Sequence, residues 1–494
     1  MVRAWWVPAA LTLVALLLRT YNFSLLSWVP DGYEQLDATK RLLALHFPLS
    51  RIYSPGVAVV MAPFLLFLPR TLEGMQYVMI GSGVVLVPLT YFAVVKLTRD
   101  RLAATFLALF LTFAPAFVYQ SRDPHYDPIV TQLLGACIAL VPWLRGRGAL
   151  AFVAYGALLA VLVNIRPVNL AAMPALVIYL GALELETKGL VGAVRAVVAP
   201  KVIVAGVTMV LLTIAGIVFG GWWGEAARAP MTLQMFPQHL VTYYVATFSG
   251  LLGVFVAPLA FVGARRWWRK QSPLLLALGF VIVVWPLVHA LFYWTQTRYM
   301  LPSELCVWVI AAVGAAELWR GAKSGTLSRP VVLSLKTGAT VLALLLVVPT
   351  LLLVSGWDRI AARSEEGMLQ DLRPFMARMD DRSTVITVMA RGLVEANGRI
   401  EYVDLIDFSI DHGNGAEAKT AMAEAVRERL ASGRDVYYLY THWEDGQDFE
   451  GNGRRGFIAY YEAVRDNFDL QLIERREISD WRPHPWTLYK VTAR

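Results

Sequence analysis

Ser54-Pro55-Gly56-Val57-Ala58-Val59-Val60-Met61-Ala62-Pro63-Phe64-Leu65-Leu66-Phe67-Leu68-Pro69 is apolar throughout, yet it is short and carries three prolines. Whether it crosses a membrane decides how the chain is threaded. A helix needs ~20 residues to span ~30 Å of hydrocarbon, and this stretch falls short. Eleven other apolar runs read as spans, near residues 5–21, 75–95, 102–119, 128–144, 149–164, 168–183, 201–220, 240–262, 273–293, 300–319 and 331–354. If 54–69 also spanned, Lys96, Arg99 and Arg101 would face outside and every later basic loop would be inverted. Laid at the outer interface, it leaves those three residues inside. The same side then holds Arg145 and Arg147; Arg265, Arg266, Arg269 and Lys270; and Arg320, Lys323 and Arg329, as the positive-inside rule requires. The sequence therefore predicts an α-helical polytopic membrane protein of about eleven spans, with its N-terminus cytoplasmic.

Composition agrees. Of 494 residues, 57% are hydrophobic and 17% charged, whereas a soluble domain carries roughly 25% charged residues. The net charge of +8 lies in short loops rather than along a groove, which excludes a nucleic-acid partner. Cys137 and Cys306 both lie in apolar spans and read as core residues. No small-residue cleavage site follows the first apolar run, so that run is expected to be retained.

The character changes after Gly356. Residues 356–494 are polar, with strand-like runs at Thr384–Val388, Tyr437–Tyr440 and Thr487–Val491 and a helical stretch Ala416–Leu430 stopping near Gly433. This predicts an α/β domain on the outer side, following a membrane domain of residues 1–355 whose first external loop covers 22–74. The domain is expected to cap the outer face without a carboxylate–arginine constellation of its own. Gly451-Asn452-Gly453-Arg454-Arg455-Gly456 fits a dinucleotide pattern but does not follow a strand closely, so it reads as a surface loop. Trp222, Trp223, Trp267 and Trp268 flank spans and read as interfacial belt residues.

Under this threading four polar groups share the outer face. They are Asp31, Glu34 and Asp37; Ser121 to Asp127, with Arg122 and His125; Asn164 to Pro167, with Arg166; and Gln296 to Pro302, with Arg298 and Tyr299. Carboxylates at a bilayer boundary are costly unless something uses them. Arginines there can hold a phosphate through bidentate, charge-assisted hydrogen bonds. A carboxylate base beside a phosphate clamp suits transfer from a lipid-linked phosphate donor. Plainer roles compete at each position. Pro30-Asp31-x-x-Glu34 is also a capping box, and Asp37 can pair with Arg41 four residues on. Asp127-Pro128 resembles a cap followed by a first-turn proline. Arg166 and Arg298 can snorkel. Asp123, His125 and Asp127 are spaced to share a divalent cation, the one cofactor the sequence suggests.

The order of these motifs resembles the GT-C superfamily of polyprenyl-phosphate-dependent glycosyltransferases, such as the protein O-mannosyltransferases and the lipid A aminoarabinose transferases. The resemblance covers about residues 15–185 and returns at 290–315. Arg19 followed by Pro30-Asp31, with Glu34 nearby, is similar to the family's catalytic first loop. Tyr53-Ser54-Pro55-Gly56 resembles the start of its second interfacial helix, Ser121-Arg122 with Asp127 its second acidic motif, and Arg298-Tyr299-x-x-Pro302 an element of its late spans. Relatives have adjacent Asp-Glu where this chain has Asp31-Gly32. A Trp-Trp-Asp motif is absent; the nearest sequences are Asp480-Trp481 and Trp443-Glu444-Asp445, which disfavours transfer of an oligosaccharide to asparagine.

The resemblance implies an inverting glycosyltransferase in the plasma membrane. It would move a hexosyl or pentosyl group from a polyprenyl-phosphate donor to a glycan, lipid or protein acceptor outside. Asp31 and Glu34 would be catalytic, and Arg298, Arg166, Tyr53, Asp127, Arg122, His125 and Tyr299 would bind substrate. Two alternatives fit less well. A secondary transporter commonly carries internal repeats and ionisable groups in mid-membrane, whereas these spans are nearly free of charge. An inactive scaffold on the same fold is the other.

Overall fold

The computed structural model describes residues 6–24, 31–50, 55–123, 125–220, 236–291, 296–362, 365–377, 379–394, 397–412, 416–441, 457–476 and 486–494. The chain divides into two compact units. The first comprises Met1–Phe23, Leu36–Gly224 and Met231–Trp357; the second comprises Ser24–Gln35, Glu225–Pro230 and Asp358–Arg494. The second unit thus includes part of the first loop as well as the C-terminal region.

The helices that follow α1 (Trp6–Thr20) are α2 (Asp31–Leu43), α3 (Gly56–Leu65), α4 (Leu72–Thr98), α5 (Arg101–Phe113), α6 (Pro115–Arg122), α7 (Asp127–Leu144) and α8 (Ala149–Ile165). Then come α9 (Met173–Val197), α10 (Pro200–Gly220), α11 (Phe236–Thr247), α12 (Gly253–Trp268), α13 (Ser272–Ala290), α14 (Leu301–Lys323) and α15 (Arg329–Ser355). Among the described residues, eight helical segments are long and apolar enough to cross a membrane, and the bent pair α5–α6 makes a ninth. The shorter apolar helices α1 and α8 lie at two more of the apolar runs of the sequence. The stretch that decides the threading contains α3, a helix of 10 residues. It rises only ~15 Å, half the hydrocarbon thickness.

Two expected spans are not continuous helices. The run at 102–119 bends by 56° between α5 and α6. Pro115 lacks the N–H that would bond the carbonyl four residues earlier, so carbonyls at the end of α5 need other donors. Arg19 supplies one, its Nη2 donating to Leu111 O at 3.1 Å, and Thr350 Oγ1 another, to Phe113 O at 2.7 Å. The expected single span at 240–262 is corrected to two helices, α11 and α12. Ser249 and Gly250 between them have φ of 61° and 60°, and two successive left-handed residues end an α-helix.

The basic loops gather at one end of the bundle. Arg320 pairs with Asp100, Arg266 Nε lies 3.4 Å from Glu317, and Arg145 Nε lies 2.8 Å from Glu184. Ser272 Oγ donates to Glu186 at 2.6 Å and Lys201 Nζ to Arg147 O at 2.7 Å, joining the remaining loops to the same end.

In the second unit, strands β1 (Ser383–Thr387), β2 (Glu401–Asp404), β3 (Asp435–Tyr440), β4 (Phe468–Arg476) and β5 (Trp486–Ala493) form one sheet in the order β2-β1-β3-β5-β4. β1 runs parallel to β2 and β3, whereas β5 is antiparallel to β3 and β4. Helices α16 (Trp357–Ala362), α17 (Glu365–Met376), α18 (Ala390–Val394), α19 (Leu405–His412), α20 (Ala416–Ala431) and α21 (Phe457–Asn467) complete the chain. The three strands expected from sequence are β1, β3 and β5. The two it missed, β2 and β4, are the sheet edges, which carry polar residues because only one side is paired.

α12 and α14 approach most closely at Gly263 and Gly314. A Cβ on Gly263 would lie 2.0 Å from Ile310 O, and one on Gly314 would lie 1.9 Å from Leu259 O. Gly263→Val should therefore force these helices apart and destabilise the protein by about 1–3 kcal/mol or more. Gly279→Val, where a Cβ meets nothing within 4 Å, should change little. Melting curves of the two purified variants compare them directly; equal curves would refute the close crossing.

Candidate active site

α7 opens at Asp127, with Pro128 in its first turn and no hydrogen bond capping it from Tyr126. A carboxylate here is favoured by the positive end of the helix. The Asp127 side chain is buried, at 2% exposure, and turns to two arginines rather than serving as a cap. Arg166, where α8 ends, places Nη1 3.1 Å from Asp127 Oδ1, and Arg298 Nε lies 3.4 Å from Oδ2. Neither arginine snorkels: their side chains are 14% and 9% exposed.

Arg298 is set by a 3₁₀ turn, Thr297–Met300, that leads into α14 with Pro302 in its first turn. Trp285 Nε1 donates to Tyr299 O at 2.7 Å, and Gln296 N donates to the Tyr243 hydroxyl at 3.3 Å. These bonds fix the turn. Tyr299 then presents its ring to Arg166, with 4.0 Å between guanidinium carbon and ring centre. Tyr126 packs on Arg166 at 4.8 Å, and its hydroxyl accepts from Nη2 at 2.9 Å. Cation–aromatic contacts of this kind are worth ~2 kcal/mol when desolvated. The result is a pair of guanidiniums, oriented by aromatic faces, sharing one carboxylate. The trio carries one net positive charge.

His125 is buried, and its Nε2 lies 3.7 Å from Asp123 Oδ1. Burial first, then the nearby charges of Arg298 and Arg166, hold its pKa well below the usual histidine value, so the ring is neutral. Among the described residues no group of three or more His, Cys, Asp or Glu side chains is arranged to hold a metal ion. Asp123, His125 and Asp127 do not form the cation site their spacing suggested, because Asp127 is committed to arginines.

Arg122 is not brought to this pair. It is fully buried, donates from Nη2 to the carbonyls of Tyr21 and Asn22, each at 2.9 Å, and stacks 4.2 Å from the centre of Trp357. Its role is to hold the end of α1. Arg19, also fully buried, bonds Ser121 Oγ at 2.9 Å and serves the bend described above. Tyr53 and the side chain of Asp31 lie outside the described residues, as do Trp222, Trp223, Trp443 to Asp445, Gly451 to Gly456, Asp480 and Trp481. Asp31 begins α2, and Asp37 pairs with Arg41 at 2.8 Å as the helical spacing predicts.

Glu34 departs from expectation. It is 1% exposed and ion-paired with Arg391, which also holds Asp404 at 3.1 Å and Asp407 at 3.2 Å. The C-terminal region thus does contain a carboxylate–arginine constellation. Tyr33 is buried beside it; its hydroxyl accepts from Arg373 Nη2 at 3.0 Å, and its ring covers Gly392. Burial, reinforced by Asp407, raises the Asp404 pKa despite the opposing charge of Arg391. Sequence reading missed Tyr126, Trp285, Tyr243 and Arg391. Tyr126 adjoins a site residue and was the most findable. The others had no local signal.

The sequence matches no family profile and no curated protein. Solved structures do match. ArnT from Cupriavidus metallidurans in the apo state aligns with TM-score 0.62 at 14% identity, over 98% of this chain and 97% of that one. The same protein bound to undecaprenyl phosphate aligns with TM-score 0.60 at 14% identity, over 98% and 97%. The chain has the ArnT fold. The full coverage includes both the helical bundle and the small sheet domain.

The Glu34–Arg391 pair gives a direct test of which role Glu34 plays. Arg391→Met takes the arginine away from three carboxylates, one of them buried, and should cost about 3–5 kcal/mol. Glu34→Gln should cost less, since Asp404 and Asp407 still engage the arginine. Combining the two should recover part of the loss in thermal unfolding. A Glu34→Gln protein with unchanged melting but no turnover would make Glu34 a chemical residue instead.

Proposed function

We propose that this protein is an inverting glycosyltransferase of the cell envelope that takes a sugar from a polyprenyl-phosphate carrier. The observation that carries the reading is the Arg166–Arg298 pair, buried at one end of the bundle and pre-oriented by Tyr126 and Tyr299. The fold shared with ArnT, a protein solved with undecaprenyl phosphate, supports it. Two fixed guanidiniums suit a phosphate monoanion or dianion, because their planar forks match its oxygens and stay charged at any working pH. Asp127 keeps them in place before the donor arrives.

In the proposed reaction the acceptor hydroxyl attacks the anomeric carbon as its proton passes to a carboxylate, assigned to Asp31 on the sequence motif. The bond to the carrier oxygen breaks, and the departing polyprenyl phosphate takes up negative charge beside Arg298 and Arg166. Charge-assisted hydrogen bonds that strengthen as the leaving group forms lower the barrier. No nucleotide is needed, which fits a site at the outer end of the spans. The sugar is a hexose or pentose, and the acceptor a glycan, a lipid or a protein.

Binding of a polyprenyl phosphate to the purified protein separates the roles. Arg298→Ala and Arg166→Ala should each weaken it, with lysine restoring part because charge is kept while the fork is lost. Asp31→Asn should bind normally, yet turn over lipid-linked sugars from cells lacking the protein about two orders of magnitude more slowly. Normal binding by both arginine variants would remove the clamp from the mechanism.

Orientation is a separate expectation: the basic loops face the cytoplasm and residues 357–494 the outside. A single cysteine at position 99, in a chain lacking Cys137 and Cys306, should resist an impermeant thiol reagent applied to intact cells. Labelling from outside would invert the scheme.

A further inference from the structure

At the end of the bundle remote from Asp127, the α4–α5 turn, the end of α12 and the end of α14 enclose an open cleft of about 980 Å³, its mouth included. Five cations line it: Arg99, Arg101, Arg266, Lys270 and Arg320. Among the described residues, two carboxylates answer them. Asp100 is taken by Arg320 and by the amide of Ala103, which it caps at 3.0 Å. Glu317 lies 3.4 Å from Arg266 and 3.6 Å from Arg320. Arg99, Arg101 and Lys270 make no side-chain hydrogen bond or ion pair among the described residues. Three unanswered cations facing one cleft repel each other, and an anion between them relieves that repulsion.

The position of the cleft indicates which anion. Arg298 precedes α14 and Arg320 lies near its end, 22 residues further on. At ~1.5 Å per residue this separation is ~33 Å, about one hydrocarbon thickness. The cleft is therefore at headgroup depth on the opposite membrane face from the Asp127 site. Tryptophans mark the same depth: Trp267 lines the cleft, while Trp268 and Trp319 are 65% and 59% exposed beside it. Such side chains favour the interface between headgroups and acyl chains. A soluble anion would find this site only by entering the headgroup layer, where lipid phosphates are already abundant.

We propose that the cleft binds the phosphate of an anionic phospholipid headgroup, held by Arg99, Arg101 and Lys270. This site is distinct from the donor clamp, and it stands whether or not the glycosyltransferase reading is right.

The test uses the full-length protein in detergent, titrated with phosphatidylglycerol, with bound lipid counted by native mass spectrometry. Replacing Arg99, Arg101 and Lys270 together by glutamine should weaken binding by about tenfold or more, and removing equal charge at Arg269, Lys323 and Arg329 by less than about twofold. Phosphatidylcholine of the same chain length should bind weakly to all three proteins. If the triple variant unfolds, Lys270→Gln alone should show the same contrast, at about threefold, against Lys323→Gln. Equal losses in the two sets would reduce the cleft to general surface charge and overturn the proposal. Displacement of the lipid by millimolar inorganic phosphate would overturn it too, by making the site one for a soluble anion.

Discussion

One buried carboxylate organises one end of the helical bundle. Asp127 draws Arg166 from the end of α8 and Arg298 from the turn before α14 onto the first turn of α7. Each charge would be costly to bury alone, and the three together reduce that cost. The aromatic rings of Tyr126 and Tyr299 complete the arrangement by covering the guanidinium faces that carboxylates cannot reach. What remains is two guanidiniums held in a fixed geometry around one carboxylate.

The helices that carry this site are interrupted where the chain must turn polar groups inward. α5 and α6 part at Ala114-Pro115, α11 and α12 at Ser249-Gly250, and 3₁₀ turns open at Pro167 and Thr297. In hydrocarbon every freed backbone group needs a partner. Arg19 and Thr350 answer the carbonyls at the first break. At the second, Ser249 Oγ donates to Glu304 in the first turn of α14, and the buried Glu304 also accepts from Trp308 Nε1 at 3.3 Å. Arg19 is thus occupied in repairing a break and Arg122 in holding the end of α1.

Glu34 shows the same confusion in another form. Its place three residues after Asp31 suggested chemistry, but its partner is Arg391, more than 350 residues away in the chain. The pair fixes the first turn of α2 to α18 within the second compact unit, assisted by Tyr33 on Arg373 and Gly392. A carboxylate so enclosed is poorly suited to exchanging protons with an acceptor. It is well suited to holding the backbone that carries Asp31.

The sequence by itself determined the class of protein, the change to an α/β region after Gly356 and the grouping of its basic loops. These follow from hydropathy and charge, which act locally and leave a periodic or compositional trace. It also pointed to Asp127, Arg166, Arg298 and Tyr299, because each lies where an apolar run ends. Only the tertiary structure decided that these four meet, that Arg122 serves the end of α1, and that Glu34 belongs to Arg391. Those outcomes depend on which distant charges are buried together, and pairing energy between residues far apart in the chain leaves no mark on the local pattern. The edge strands β2 and β4 were hidden for a related reason: their pairing comes from one neighbour across the sheet rather than from apolar runs of their own.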